Sequence, residues 1–294
     1  RKINETKRRL RVQQSPDELR VGLVTDVGHI DDGTFNQYAH EGLMRAADEH
    51  GLDPQVIETE TPDAYEDNLE RVIEDDCNLV ITIGSRTGPQ VERLAGRHPQ
   101  VHFVVVDHAP AEKGENVTGL VFAEDEAAYL AGALAGLITR QNTVGFVGGP
   151  DVVPVRKFRQ GFEHGLEQTS ARAEMLDTTT ESFTDVEAGE DAGRELVAHG
   201  ADVVFAAAGE SGTGAIRTAA QEGAWVIGVD QDQWVTTFNE GETPGSKRVL
   251  TSVVKRVDRA VYETVTRAVD GELEPGAIHF NLGNDGVGLA PYHE

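Results

Sequence analysis

Three carboxylates, Asp26, Asp107 and Asp230, each follow a run of apolar residues, and Phe205 closes a fourth such run. Continuous apolar runs read as buried parallel strands, so these side chains collect at strand carboxyl ends, where open α/β sheets bind ligands. Phe35 and Asn36 open a helical pattern after the first strand, and Lys255 opens another. In a two-lobed α/β protein these edges face one cleft. Two aromatic rings facing across a cleft sandwich a flat ring, and base–aromatic stacking contributes on the order of 1–3 kcal/mol per base. Carboxylates accept from ring N–H groups and sugar hydroxyls, while an ammonium donates, all as charge-assisted hydrogen bonds. Such a set binds and need not catalyse. The same spacing also suits Phe35 as a staple that closes its helix onto the sheet.

Gly209-Glu-Ser-Gly-Thr-Gly214 follows a strand and opens a helix, as a phosphate loop would. Its glycine order fits neither the dinucleotide fingerprint nor the P-loop, nor the nucleophile elbow of hydrolases. It reads as a glycine turn that lets backbone N–H groups approach a polar ligand, with a plain tight turn as the competing account. Ser211, the histidines and the many aspartates supply the members of a catalytic triad only by abundance. The ten histidines show no metal-ligand spacing, and Asp31-Asp32 more simply caps a helix. The expectation is a protein that is not an enzyme and carries no metal or cofactor.

The elements that position these residues alternate. Val21 to Val24 is the opening strand, and Thr34 with Gln37 fits a capping box for the helix that follows and stops at His50-Gly51. Strands are expected at Gln55–Glu58, Leu79–Ile83, Val101–Asp107 and Val117–Phe122, with helices over Pro62–Glu74, Gly88–Arg97 and Ala127–Ile138. A second series runs from Thr143, through strands ending at Leu176, Phe205, Asp230 and Val254, to short strands around His279 and Val287. Regular strand–helix alternation implies parallel, doubly wound sheets.

The chain of 294 residues carries 51 acidic against 26 basic residues, a formal net charge of −25. That balance argues against a nucleic-acid partner. It matches the pattern of proteins kept soluble at high salt, and the hypothesis is an origin in a salt-rich cell. Loss of the fold on raising salt, rather than lowering it, would count against that origin. Cys77 is the single cysteine, so no intrachain disulfide forms. The run from Ala127 to Ile138 is too short to span a membrane, which takes about 20 residues. Residues 1–19 form a basic arm, read as a solvated tether, with a partner contact as the alternative. The chain begins at Arg1 rather than Met, so an upstream signal or lipid-attachment segment could have been removed without trace, and the absence of a signal peptide decides nothing. Asn4 and Asn116 are formal glycosylation acceptors.

Several of these motifs together resemble the basic membrane protein family of substrate-binding proteins for ABC importers, whose best-understood type is a purine nucleoside receptor lipoprotein. They are Thr25-Asp-Val-Gly with Asp31-Asp-Gly-Thr-Phe-Asn-Gln37, Val147-Gly-Gly, the Phe158, Gly161, Phe162, Gly165 helix, Ala201-Asp-Val-Val-Phe-Ala-Ala-Ala-Gly209, Gly228-Val-Asp-Gln-Asp-Gln233 and Thr251-Ser-Val-Val-Lys255. The resemblance runs from about Val21 to the C-terminus. It implies two Rossmann-like lobes of the type I periplasmic-binding-protein kind, joined by a three-segment hinge with crossings near 122, 252 and 280. The lobes would comprise residues 20–121 plus 253–279 and residues 122–252 plus 280–294.

By the same resemblance, Phe35 and Phe205 would stack a base, and Asp26, Asn36 and Asp107 would bind its edge. Gly209, Asp230 and Lys255 would hold the ribose. The sequence departs from the family at Gly33-Thr34 and at Glu210-Ser211, the latter beside the expected sugar. The implied function is a monomeric, extracytoplasmic, membrane-anchored receptor that captures a nucleoside in the interlobe cleft and passes it to an ABC permease. A sensory module of the same fold and a sugar or other polar-solute receptor are the alternatives.

Overall fold

The computed structural model describes residues 19–111 and 115–293. The basic arm up to residue 18 and the Asn4 sequon lie outside them. In chain order the main elements are β1 (Val21–Val27), α1 (Phe35–His50), β2 (Gln55–Thr59), α2 (Tyr65–Glu74), β3 (Leu79–Thr82), α3 (Gly88–Arg97), β4 (His102–Val106) and β5 (Val117–Phe122). There follow α4 (Glu124–Ile138), β6 (Thr143–Gly148), α5 (Val153–Thr169), β7 (Glu174–Thr179), α6 (Val186–Ala198), β8 (Val203–Ala207), α7 (Gly209–Gln221) and β9 (Trp225–Asp230). The chain ends in α8 (Gln233–Thr236), β10 (Val249–Lys255), α9 (Val257–Val269), β11 (Gly276–Phe280) and β12 (Val287–Leu289).

The strands form two six-stranded sheets, ordered β11-β5-β4-β3-β1-β2 and β12-β10-β9-β8-β6-β7. Strands β1, β3, β4 and β5 pair in parallel, as do β7, β6, β8, β9 and β10, while β12 returns antiparallel to β10. Each sheet follows from its composition. Leu79–Thr82 and Phe103–Val106 are buried residue by residue, which fits strands covered on both faces by crossover helices. One core gathers Val24, Leu69, Val80, Val91, Phe103 and Val105, and another Val204, Ala206, Ile216, Val226 and Phe238.

The described residues group into two compact units. One holds the described residues up to Asp26, then Ala39–Leu120 and Asp258–Ile278; the other holds Val27–Tyr38, Val121–Val257 and everything from His279 onward. The segment Val27–Tyr38, carrying Phe35 and Asn36, therefore belongs with the second unit.

Helices α4 and α5 meet through small residues. A methyl group on Gly132 would lie 1.9 Å from the carbonyl oxygen of Phe162, and one on Gly165 would lie 1.9 Å from that of Tyr129. Both obstacles are backbone, so they yield only if the helices separate. Gly132→Ala is expected to lower stability by about 1–3 kcal/mol despite alanine's better helix propensity. Urea unfolding checks this, and a stabilised variant would show that the contact is not limiting.

Some local readings change. Pro62 opens a separate short turn that ends at Ala64 before α2 begins. Strand β8 continues past Phe205 to Ala207, and α7 starts at Gly209 rather than Thr213. Lys255 is the last residue of β10 rather than the start of a helix. Asn116 spends its side-chain amide on the carbonyls of Ala95, His98 and Val101, closing the turn before β5, so the sequon's amide is already engaged.

Candidate functional site

The entry to α1 is the first part of the site. The expected capping box is built differently: Asp32, not Thr34, accepts from the backbone N–H groups of Thr34, Asn36 and Gln37, at 2.8, 3.0 and 3.1 Å. The Gln37 side chain reaches back to the N–H of Gly33 at 3.0 Å. Two carboxylate oxygens satisfy three of the helix's orphan donors, a larger share than one hydroxyl could take. Burial pushes the Asp32 carboxyl above its ordinary value, and these N–H groups oppose the rise. Thr34 is buried.

The second unit holds this entry in place. Gln231, immediately after β9, donates to the Thr34 carbonyl at 2.9 Å, and Thr236 donates to that of Gly33 at 3.3 Å. Both anchors come from the Gly228–Gln233 motif and its helix. Gln233 itself is structural: it accepts from the Val229 N–H and donates to Thr213 and Thr237.

Asp230 ends β9 and lies in register with Val254, one residue before Lys255, so this carboxylate and this ammonium project from adjacent parallel strand ends. The Lys255 side chain is 2% exposed, and its ammonium lies 4.8 Å from the Phe35 ring centroid, 5.0 Å from that of Phe122 and 6.0 Å from that of Phe158. Cation–π attraction in such a desolvated setting is worth about 2 kcal/mol or more. The backbone of Asp230 is left-handed (φ 65°), as is that of Asp107 (φ 69°), which directly follows β4. Aspartate tolerates that region better than most side chains, yet residues held there remain uncommon and cluster at functional sites.

Phe205 requires a correction. Its side chain has no exposed surface and contacts Phe146, Phe158 and Phe162 at centroid distances of 5.5, 6.1 and 5.2 Å. The pleat turns it into this aromatic cluster, where it has no ring face to offer a ligand. The half-buried aromatic near Gly209 is Phe183, on the loop after β7. Its carbonyl accepts from the Ser211 N–H at 3.1 Å, and its ring lies so close over Gly149 that a methyl there would come within 2.2 Å of Cε1. The next residue, Thr184, shares a neighbour with Asn36: a methyl on Gly28 would lie 3.5 Å from Thr184 Cγ2 and 3.2 Å from Asn36 Nδ2. Phe35, Asn36, Phe183, Gly209, Asp230 and Lys255 all belong to the second unit.

Asp26 and Asp107 belong to the first unit. Asp26 is buried near the end of β1, where its Oδ1 accepts from the Tyr65 hydroxyl and from Arg86 Nη2, the latter at 2.9 Å. Neither partner was legible in the sequence. Ser211 is fully buried and donates to the Ser182 carbonyl at 2.7 Å, which removes it as a nucleophile. Glu210 is half-buried; burial raises its carboxyl above the ordinary value, and the charge of Asp32 adds to the rise. Among the described residues no His, Cys, Asp or Glu group could hold a metal ion, and no helix is long and apolar enough to cross a membrane.

Two parallel-sheet α/β units with polar groups gathered at strand carboxyl ends have the fold of periplasmic-binding-protein-type solute-binding proteins. The crystal structure of an ABC transporter solute-binding protein from Aeropyrum pernix matches 93% of this chain and 76% of its own, at TM-score 0.86 and 26% identity. Residues 19–293 match the Bmp family model, described as ABC transporter substrate-binding protein, PnrA-like, and the chain belongs to that family. The family is one of substrate-binding proteins, not enzymes. Among its relatives, a CD4+ T-cell-stimulating antigen of Listeria monocytogenes is 33% identical over 96% of this chain and 82% of its own. An ABC transporter nucleoside-binding protein, BmpA, of Lactococcus lactis is 30% identical over 92% of this chain and 81% of its own. An uncharacterized lipoprotein of Pyrococcus abyssi is 30% identical over 92% of this chain and 69% of its own.

Proposed function

We propose that this ABC transporter solute-binding protein captures a nucleoside, in the first instance a purine nucleoside, outside the cytoplasm and delivers it to a membrane permease. The observation that carries the reading is the Phe35 ring held beside the Lys255 ammonium, one residue from Asn36 and next to the Asp230 strand end. A flat ring stacked on Phe35 would bring its sugar hydroxyls toward groups that donate and accept. Phe183, rather than Phe205, is proposed as the second stacking aromatic. Asn36, Asp26 and Asp107 are proposed for the base edge, and Gly209, Asp230 and Lys255 for the ribose. Hinge segments near residues 122, 252 and 280 and a lipid anchor belong to the same proposal. The similarity to the Lactococcus nucleoside-binding protein and the Pyrococcus lipoprotein supports it.

A thermal-shift and calorimetric screen in high-salt buffer against nucleosides, free bases and simple sugars tests the ligand class. A nucleoside at 100 times its dissociation constant should stabilise the protein by about 2.7 kcal/mol. Phe35→Ala should then weaken that binding roughly 10- to 100-fold, in line with the worth of one stacking face. Hits confined to sugars, or unchanged affinity in the variant, would discard the base assignment.

A further inference from the structure

Lys255 is not held by aromatic rings alone. Glu124, the first residue of α4, is 1% exposed and places Oε1 3.0 Å from Lys255 Nζ. Its other oxygen, Oε2, lies 3.0 Å from the ammonium of Lys157 on α5, which also donates to the Phe122 carbonyl at 2.5 Å. Phe122 in turn presents its ring to Lys255 and stacks on Phe280 at 4.9 Å. One carboxylate thus serves two ammonium groups, one of them sealed from water. A buried ammonium favours its neutral form unless an opposite charge compensates the lost hydration. Aromatic faces orient a cation but supply only part of that compensation.

We infer that Glu124 is the positioning residue of this site, fixing the direction of the Lys255 ammonium and keeping it charged for the ligand, while Lys157 holds the far side of the same carboxylate. This rests on the reading of Lys255 as a ligand-binding group. The charged groups around this ammonium include Glu124 on α4 and, on the far side of the same carboxylate, Lys157 on α5, while Asp230 ends the neighbouring strand in register with Val254.

The test compares the wild type, Glu124→Gln and Lys157→Met. In ligand-free protein carrying nitrogen-labelled lysine, the Lys255 Nζ resonance of the wild type should keep its ammonium position from about pH 6 to about pH 9. In Glu124→Gln it should move to the amine position within that range, and in Lys157→Met it should not. Binding of adenosine, which does not itself titrate in this range, should be flat with pH in the wild type but fall about tenfold across the same range in Glu124→Gln, lost as pH rises because the variant's lysine deprotonates. Should Glu124→Gln not fold, Glu124→Asp, which draws the carboxylate back by one methylene, should show the same trend in weaker form. An ammonium retained in Glu124→Gln, or pH dependence equally present in Lys157→Met, overturns the inference. If the wild type binds no nucleoside at all, the nucleoside reading falls, and the resonance measurement still decides what Glu124 does.

Discussion

Methionine at position 255 is expected to lower the unfolding free energy by about 3–5 kcal/mol, because it strands a buried carboxylate. Glu124 is 1% exposed and would keep only Lys157, whose side chain is 31% exposed. That remaining bond places the expected loss toward the lower end. The pair itself is not a large net asset: desolvating both charges offsets most of their attraction, so the double variant Glu124→Gln, Lys255→Met should recover much of the loss. Urea unfolding of the two single variants and the double variant checks this. A single variant within about 0.5 kcal/mol of the wild type would mean that water reaches the pair after all.

Acidification between neutral pH and about pH 4 should cost the wild type roughly 3 kcal/mol more than the variant His102→Gln. His102 lies on β4, and burial depresses its imidazole to about 4. Its Nε2 is 2.8 Å from the Thr118 hydroxyl, which itself donates to the Glu274 carbonyl, so the ring N–H must be the donor. With the folded value below the unfolded one near 6.5, the unfolded chain binds the extra proton first. The neutral ring's contribution is complete above about 6.5 and is lost as pH falls toward 4, at about 1.4 kcal/mol per pH unit. Glutamine retains a donor to Thr118 without the titration. Stability measured against pH for both proteins, with equal slopes as the contrary outcome, decides the point.

Much of the fold was legible because buried parallel strands announce themselves as apolar runs, and α3, β5 and β9 run between the expected residues. Strand-end aspartates were legible for the same reason, since a residue's place in a run fixes its place on the sheet. Phe205 misled because Ala206 and Ala207 extend a strand or begin a turn equally well, and two more residues of strand leave the phenylalanine in its interior. Phe183 sits in a polar loop without periodicity, so nothing local marks it. Glu124 stands at the start of α4, where any carboxylate complements the helix dipole, so its residue type there carries no further signal. That it also neutralises a lysine 131 residues later is a tertiary fact, like the approach of Tyr65 and Arg86 to Asp26.

The left-handed backbones of Asp107 and Asp230 restrict sequence drift as well as shape. Alanine there would pay backbone strain, so only glycine and asparagine replace aspartate without a conformational cost. Lineages that kept the fold but lost the ligand would thus retain a readable trace at these positions, Asp giving way to Asn or Gly. Retained Asp at both would mark continued selection for the carboxylate, separable from selection for the turn.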